Sequence, residues 1–338
     1  MTLVRILKDY DWPILRQTPG SQGIWDGIRF TCDPVEQCDY AVILDRVCED
    51  TTVSCPPEHI WAVMQEPPNE FLRPMHRGMM SYHRIYTQDD DLQGPRYIHS
   101  QPALPWLVNK DYDQLIGCAV PIKERGISLI MSDLAASEGH RARLCFFEKM
   151  RDHIKFDLFG RGFVPIEDKW DALAPYRYSL VIENFRNPYY WSEKLADCLL
   201  AWAMPIYYGC TRINEYFPTE AVVSIDIDDP DANEKIRAVI SSGLWDHNLD
   251  AISHARRLIL DRYQLFPFLV GEIRNFERSR DFETAIPRTI TISRYSGWLQ
   301  ALPTKLHYRI DRHGVQYVRR VGTSMKTLLT KVRGIFQN

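Results

Sequence analysis

Polar side chains that could bind or react follow one predicted strand in the segment 176–218. The apolar, β-branched run that ends at Ile182 is typical of a buried strand. Glu183 and Asn184 come directly after it, and Tyr190 lies in the turn that follows. Tyr190 and the nearby Glu193 suit the hydroxyls of a ribose or a sugar, with Asn184 close by, because these groups supply both hydrogen-bond donors and acceptors.

A helix is predicted to begin just after this turn. Ser192 suits an N-cap, and Glu193 would lie in the first helical turn. Lys194 is unusual there, because a cation near a helix start opposes the helix dipole. Such a lysine is tolerated where an anion lies over the helix start. An anion site and an ordinary surface lysine on a crossover helix explain the spacing equally well.

The same segment reads as strand, loop, helix and second strand, which is the unit that builds parallel sheets. In open parallel sheets, ligands bind beyond the carboxyl ends of the strands. We therefore expect five side chains to line one crevice: Glu183, Asn184, Tyr190, Glu193 and Lys194.

Glu66 lies at the end of another predicted strand, over 60–64, and precedes two prolines. A carboxylate within hydrogen-bond reach of a sugar hydroxyl can take its proton and so make it a nucleophile. A solvated glutamate before a proline turn is the alternative, and the residues alone favour it.

Arg143 falls in a predicted helix over 141–153, after a polar loop. An arginine near a helix start can clamp a diphosphate with two parallel hydrogen bonds. Arg141 is the competing candidate, and a charged helix surface without a ligand is the alternative for both.

The acidic run from Asp226 to Asp229 contains a D-x-D pattern of the kind that binds metal ions in some transferases. The favoured interpretation is a strand end followed by the acidic start of a helix. We therefore predict no metal site.

The composition bears on three properties of the protein, namely its attraction to nucleic acid, its relation to membranes and the state of its cysteines. The 338 residues carry a net charge of −3, which gives no overall attraction to nucleic acid. No run of 18 apolar residues and no signal-peptide pattern occur, so neither a membrane span nor secretion is predicted. The eight cysteines form no C-x-x-C pair, which predicts reduced thiols in a cytoplasmic protein without zinc.

Two successive sets of alternating strands and helices are predicted, separated by a turn region near 117–125. The residues 93–113 between the last strand of the first set and this turn read as an irregular loop. The predicted class is therefore α/β, with two Rossmann-like domains facing a cleft. We place the first domain at 1–120, the second at 121–300 and a basic tail at 301–338.

The tail has apolar residues at helical spacing, with basic residues at the other positions. A basic amphipathic helix can lie on an anionic membrane surface, so the segment 316–336 is predicted to make the protein peripheral on the cytoplasmic membrane face. A helix packed on a domain, or paired in a dimer, is the alternative.

The segment 176–218 resembles the donor-binding signature of glycosyltransferase family 10, the α-1,3/4-fucosyltransferases, in a bacterial-type form. The matching motifs are Ile182-Glu183-Asn184-Phe185, Tyr190-Trp191-Ser192-Glu193-Lys194, Ala203-Met204-Pro205-Ile206 and Gly209. Phe185 departs from the serine that is usual in the family, and Ser192 replaces a threonine. The resemblance extends over about 25–230.

This resemblance implies a GT-B fold and an inverting transferase that moves L-fucose from GDP-β-L-fucose to a glycan hydroxyl without a metal or other cofactor. It implies that Glu66 is the catalytic base, although Pro67 stands where the family pattern has serine. It also implies that Arg143, chosen by its spacing to Phe146-Phe147, contacts the donor diphosphate. The remaining implied donor contacts are Asn184, Tyr190, Glu193 and Lys194.

Two alternatives stay open at this point. One is a transferase that uses another GDP-sugar, such as GDP-D-arabinose. The other is a non-catalytic protein on the membrane that binds nucleotide sugars or glycans. The acceptor glycan, which could be lipid-linked, cannot be read from the loops of the first domain, because loops vary most among relatives.

Overall fold

The computed structural model describes residues 1–279 and 286–295. The strands of these residues are β1 Leu3–Leu7, β2 Ile24–Trp25, β3 Ile28–Thr31, β4 Tyr40–Leu44, β5 Thr51–Cys55, β6 Ile60–Val63, β7 Arg84–Thr87, β8 Tyr97–His99, β9 Arg125–Ile130, β10 Asp157–Phe159, β11 Tyr176–Ile182, β12 Met204–Tyr208, β13 Val223–Ser224 and β14 Arg288–Ile292. The α-helices are α1 Arg73–His76, α2 Tyr112–Ile116, α3 Glu138–Met150, α4 Glu193–Leu200, α5 Ile213–Tyr216, α6 Ala232–Ser241, α7 Leu244–His247, α8 Leu249–Leu258 and α9 Leu265–Arg278.

The first sheet has the strand order β2-β3-β1-β4-β6-β7-β8. Its pairs are parallel apart from the β2–β3 hairpin. The central strands β4 and β6 are buried at every position, because a parallel sheet is covered on both faces. The loops that follow β1, β4, β6 and β7 therefore all leave the sheet at one edge.

The second sheet has the order β10-β9-β11-β12-β13 and is parallel throughout. β11 and β12 are joined by α4, whose apolar side chains pack into the core of this sheet. The predicted strand–loop–helix–strand unit is present, and the predicted α/β class with two mainly parallel sheets is confirmed.

The chain returns to the first sheet after the second is complete. The apolar face of α9 packs into the core of the first sheet, and β14 pairs antiparallel with β5. Part of the range 121–300 therefore contacts the first sheet, while the boundary at residue 120 stays a prediction.

One local prediction is wrong in part. The stretch 93–113, predicted to be an irregular loop, contains β8, which is only three residues long and shows no period of its own. It also contains the start of α2.

Among the described residues, no helix is both long and apolar enough to cross a membrane. The predicted basic segment 316–336 lies outside the described residues.

Candidate functional site

Glu183 is the centre of a buried polar cluster at the carboxyl end of β11. Its side chain is buried and accepts hydrogen bonds from the backbone N–H of Ser192 at 2.7 Å and from the Ser192 hydroxyl at 2.7 and 2.9 Å. Ser192 also caps α4, since its Oγ accepts from the backbone N–H of Lys194 at 3.3 Å. The strand end and the helix start are therefore tied together by one serine.

Lys194 is only 24% exposed and does not point into bulk water. Its Nζ lies 2.9 Å from Ser192 Oγ, 3.3 Å from Glu183 Oε2 and 3.5 Å from Glu193 Oε1. Burial opposes its charge, but the two carboxylates outweigh burial and raise the pKa of Lys194 above its ordinary value. This lysine is thus charged and forms ion pairs with Glu183 and Glu193. Its position near a helix start does not reveal these ion pairs.

A second lysine, which the sequence reasoning missed, continues the charge network. Lys169 Nζ lies 3.5 Å from Glu193 Oε1 and 2.9 Å from Asp197 Oδ2. Burial opposes the charge of Glu193, but Lys194 and Lys169 prevail and lower its pKa to about 2. Asp197 also accepts the backbone N–H of Leu107 at 2.7 Å, which joins α4 to the segment before α2.

Arg143 lies on α3 with its side chain buried. Among the described residues, its Nη2 makes two long contacts, each of 3.4 Å, to the carbonyl and the hydroxyl of Ser132. Within the described part of the chain, its buried Nε has no hydrogen-bond partner. Burial lowers the pKa of Arg143, and the charges of Glu183 and Glu193 oppose that effect. An unsatisfied buried donor on a cation marks a place where an anionic ligand would gain a hydrogen bond.

The first turn of α3 lies directly against the end of β11. A Cβ added to Gly139 would lie 1.8 Å from the carbonyl oxygen of Asn184, so glycine is required for this approach. The Asn184 amide nitrogen lies 3.3 Å from His140 Nε2, and its Oδ1 is buried without a partner among the described residues. Burial, followed by the charges of Arg143 and Lys194, lowers the pKa of His140 to about 4. The imidazole is therefore neutral at pH 7.

Tyr190 is buried, and three carboxylates act on its phenol. Its ring packs edge-to-face on Phe185, with centroids 6.0 Å apart. Burial raises the pKa of Tyr190 well above its ordinary value, and the carboxylates of Glu183, Glu66 and Glu193 raise it further. The phenol therefore stays protonated, within electrostatic range of Glu66 from the first domain and Glu183 from the second.

Glu66 follows β6, and its side chain is exposed. Both of its backbone polar groups are held by buried side chains. Its N–H donates to Asp45 Oδ1 at 3.1 Å, and its carbonyl oxygen lies 2.9 Å from His76 Nε2. Burial lowers the pKa of His76 to about 4, so the ring is neutral and donates to this carbonyl. The sequence did not indicate that Asp45 and His76 hold the backbone of Glu66, because neither residue belongs to a recognisable motif.

The carboxyl edges of the two sheets contact each other around this site. Glu70 Oε1 accepts the backbone N–H of Glu138, the first residue of α3, at 2.8 Å. Asn187 donates a hydrogen bond to the carbonyl oxygen of Gln88, which follows β7. Loop residues at the carboxyl edge of the first sheet therefore contact the start of α3, the helix that carries Arg143.

Two aspartates of the acidic run after β13 form ion pairs with basic side chains. Asp229 forms an ion pair with Lys235, and Asp226 lies 3.7 Å from Arg186. The described residues contain no group of three His, Cys, Asp or Glu side chains that could hold a metal ion.

Comparison with known proteins gives one consistent result. Residues 120–240 match the sequence model described as Glycosyltransferase family 10 (fucosyltransferase) C-term. A 4-galactosyl-N-acetylglucosaminide 3-alpha-L-fucosyltransferase of Hylobates lar is 27% identical over 176 residues, covering 49% of this chain and 43% of that protein. Alpha-(1,3)-fucosyltransferase 4 of Rattus norvegicus is 29% identical over 200 residues, covering 55% of this chain and 44% of that protein. The chain thus spans less than half the length of these curated relatives.

A crystal structure of an alpha1,3-fucosyltransferase aligns with this chain at a TM-score of 0.45 and 14% identity, covering 78% of this chain and 92% of that one. The family resemblance carried by the sequence motifs is confirmed by the match of residues 120–240 and by the curated relatives.

Proposed function

Since residues 120–240 match the model of Glycosyltransferase family 10, we propose that the protein is an inverting glycosyltransferase. It transfers L-fucose from GDP-β-L-fucose to a hydroxyl of an acceptor glycan. The observation that carries this proposal is the pair of Glu66 and Arg143. Glu66 is an exposed carboxylate with a fixed backbone, and Arg143 is a buried cation whose Nε has no hydrogen-bond partner among the described residues. In this proposal the donor and the acceptor bind in a gap between these two residues.

The reaction is a single displacement. The Glu66 carboxylate takes the proton of the acceptor hydroxyl as that oxygen bonds to the anomeric carbon of fucose. The bond between the anomeric carbon and the phosphate oxygen breaks at the same time, so the β-linked donor gives an α-linked product. GDP leaves with the bonding electrons.

The departing diphosphate needs positive charge to stabilise it. Arg143 supplies a cation that can still form hydrogen bonds to the diphosphate, because its contacts to Ser132 are long and its Nε has no partner in the described residues. Lys194 supplies a second cation, which is held in place by Glu183 and Ser192. No metal is needed in this scheme, so activity should persist in a chelator; its loss there would contradict this part of the proposal.

The other donor-site residues have supporting roles in this proposal. Asn184 offers its buried Oδ1 to a donor hydroxyl, and Glu193 holds Lys194 by charge. Tyr190 contributes a protonated phenol beside Glu66.

The donor is tested by the shift in melting temperature, because a ligand that binds only the folded protein stabilises it in proportion to ln(1 + [L]/Kd). GDP-fucose should raise the melting temperature more than GDP-D-arabinose, and UDP-galactose should leave it unchanged. Release of fucose from GDP-fucose then separates an enzyme from a non-catalytic binding protein. Equal shifts of the melting temperature with GDP-sugars and UDP-sugars would contradict the assignment of a GDP-sugar as the donor.

The first acceptor to test is the 4-galactosyl-N-acetylglucosamine disaccharide, after which the Hylobates lar fucosyltransferase is named. We also propose that segment 316–336 docks the protein on the cytoplasmic face of an anionic membrane, where a lipid-linked glycan would be presented. Its support is the basic amphipathic sequence. Sedimentation with vesicles of anionic lipid should depend on this segment, and equal sedimentation after truncation before residue 316 would contradict the docking.

A further inference from the structure

A second concave site lies on the first domain, at the end of β1. It is a cavity of roughly 340 Å³, lined by residues 6–11 together with Cys32 and Cys48. This volume is at the small end of the range for ligand sites, about 300–1,000 Å³, and suits one or two sugar rings rather than a nucleotide sugar.

The lining residues share a sheet edge with the proposed base. They follow β3, β1 and β4 at the carboxyl ends of three neighbouring parallel strands, and Glu66 follows β6, the next strand in the sheet. Ligands in such sheets lie along this edge. The cavity and Glu66 are therefore neighbours on one continuous surface.

Tyr10 links the cavity to the residue that precedes the proposed base. Its hydroxyl donates to Gln65 Oε1 at 3.1 Å, one residue before Glu66. The pKa of Tyr10 is raised well above its ordinary value by burial, then by Asp45 and other neighbours including Glu66. The Tyr10 side chain therefore lies between the cavity and the loop that carries the base.

The chemistry of the lining favours hydroxyl groups. Lys8 lies 4.9 Å from the centre of the Tyr10 ring, and the Asp9 carboxylate is fixed by Arg46 Nε at 3.0 Å. Asp11 is exposed at the rim, while Ile6 and Leu7 supply an apolar floor. Carboxylates accept from sugar hydroxyls and an ammonium donates to them, whereas two carboxylates beside one lysine would repel a diphosphate.

We infer that this cavity is an acceptor subsite, which holds a neutral pyranose of the acceptor glycan beside the hydroxyl that reacts at Glu66. The inference rests on the proposed function and adds the place where the acceptor binds. Two variants test it: Asp11→Asn, which keeps the size of the side chain, and Cys32→Phe, which fills the cavity. Asp33→Asn is the matched control, because Asp33 is an exposed carboxylate next to Cys32 that does not line the cavity.

Steady-state transfer to the 4-galactosyl-N-acetylglucosamine disaccharide should show about a tenfold higher acceptor KM in both variants, equivalent to the loss of about one or two hydrogen bonds. Hydrolysis of GDP-fucose without acceptor, and the Kd of GDP, should match the wild-type values and so also report correct folding. An unchanged acceptor KM in Asp11→Asn together with an unchanged KM in Cys32→Phe would overturn the subsite. Failure of the wild-type protein to bind or hydrolyse GDP-fucose would instead overturn the proposed function.

Discussion

The buried carboxylate of Asp45 holds the backbone of Glu66 in place, with Oδ1 3.1 Å from the Glu66 nitrogen and 2.6 Å from the nitrogen of Gln65. Asp45 itself has a φ of +58°, which turns the chain sharply after β4 and brings its side chain under the neighbouring strand end. A side chain that is distant in sequence thus positions the proposed base.

Asp45 makes stability depend on pH in a defined window. Burial raises its pKa from 3.8 to about 6, although its hydrogen bonds with the two N–H groups oppose that shift. The folded protein therefore binds this proton more tightly than the unfolded chain. The resulting stabilisation is complete below about pH 4 and is lost as the pH rises through about 6.

Asp45→Asn should remove this contribution, because an amide keeps an acceptor oxygen but does not titrate. We expect the difference in free energy of unfolding between wild type and variant to change between pH 4 and 6 and to be constant above pH 7, measured by urea titration. Asp9 and Arg46 face the same carboxylate, so Asp9→Asn serves as the control for their charges. A difference that is the same at every pH would contradict the shifted pKa.

Gly139→Ala should disrupt the donor site. The new Cβ would lie 1.8 Å from the carbonyl oxygen of Asn184, so α3 has to move away from β11. Overpacking of this kind costs about 1–3 kcal/mol, and here it also displaces Arg143. Thermal unfolding and the Kd of GDP measure the two effects.

Gly126→Ala is the matched control for that variant, since a Cβ there meets nothing within 4 Å. We expect Gly126→Ala to leave both GDP affinity and stability close to the wild-type values. If Gly139→Ala behaved in the same way, the close contact between α3 and β11 would be contradicted.

Arg143→Met should weaken GDP binding more than Lys194→Met. Arg143 has an unsatisfied Nε within the described residues, so a diphosphate adds a hydrogen bond there, whereas Lys194 already has two partners at 3.3 Å or less. A hydrogen bond to a charged group contributes about 1.5–3 kcal/mol, which predicts a Kd raised about tenfold to a hundredfold. Calorimetry measures both variants, and a larger loss in Lys194→Met would reverse the proposed division of roles.

Much of the structure around the proposed donor site could be predicted from the sequence, because the patterns that indicate it lie close together in the chain. The apolar run of β11, the Ser192 cap and the helical period of α4 lie within one short segment, and parallel-sheet topology brings their polar ends together. The β2–β3 hairpin also had a local signal that was not used. Asp26-Gly27 has positive φ at both residues, as the dipeptide favours in a two-residue turn.

The positioning contacts could not be predicted in the same way, because they join residues far apart in the chain. Asp45 and Glu66 are 21 residues apart, and Lys169 and Asp197 are 28 apart. The return of α9 to the first core depends on packing that no local pattern records. For the same reason, the pairing of Lys194 with Glu183 was not evident from the helix position of the lysine.

Glu66→Gln tests the central claim, which is that this carboxylate removes the acceptor proton across the gap from the donor. The substitution keeps size and polarity, and the backbone contacts to Asp45 and His76 do not involve the side chain. The measurement is kcat for transfer from GDP-fucose alongside the Kd of GDP-fucose by calorimetry, in wild type and variant. We predict a fall in kcat of about 10²- to 10⁴-fold with an unchanged Kd. An unchanged kcat, or a loss of activity explained entirely by a higher Kd, would contradict the account.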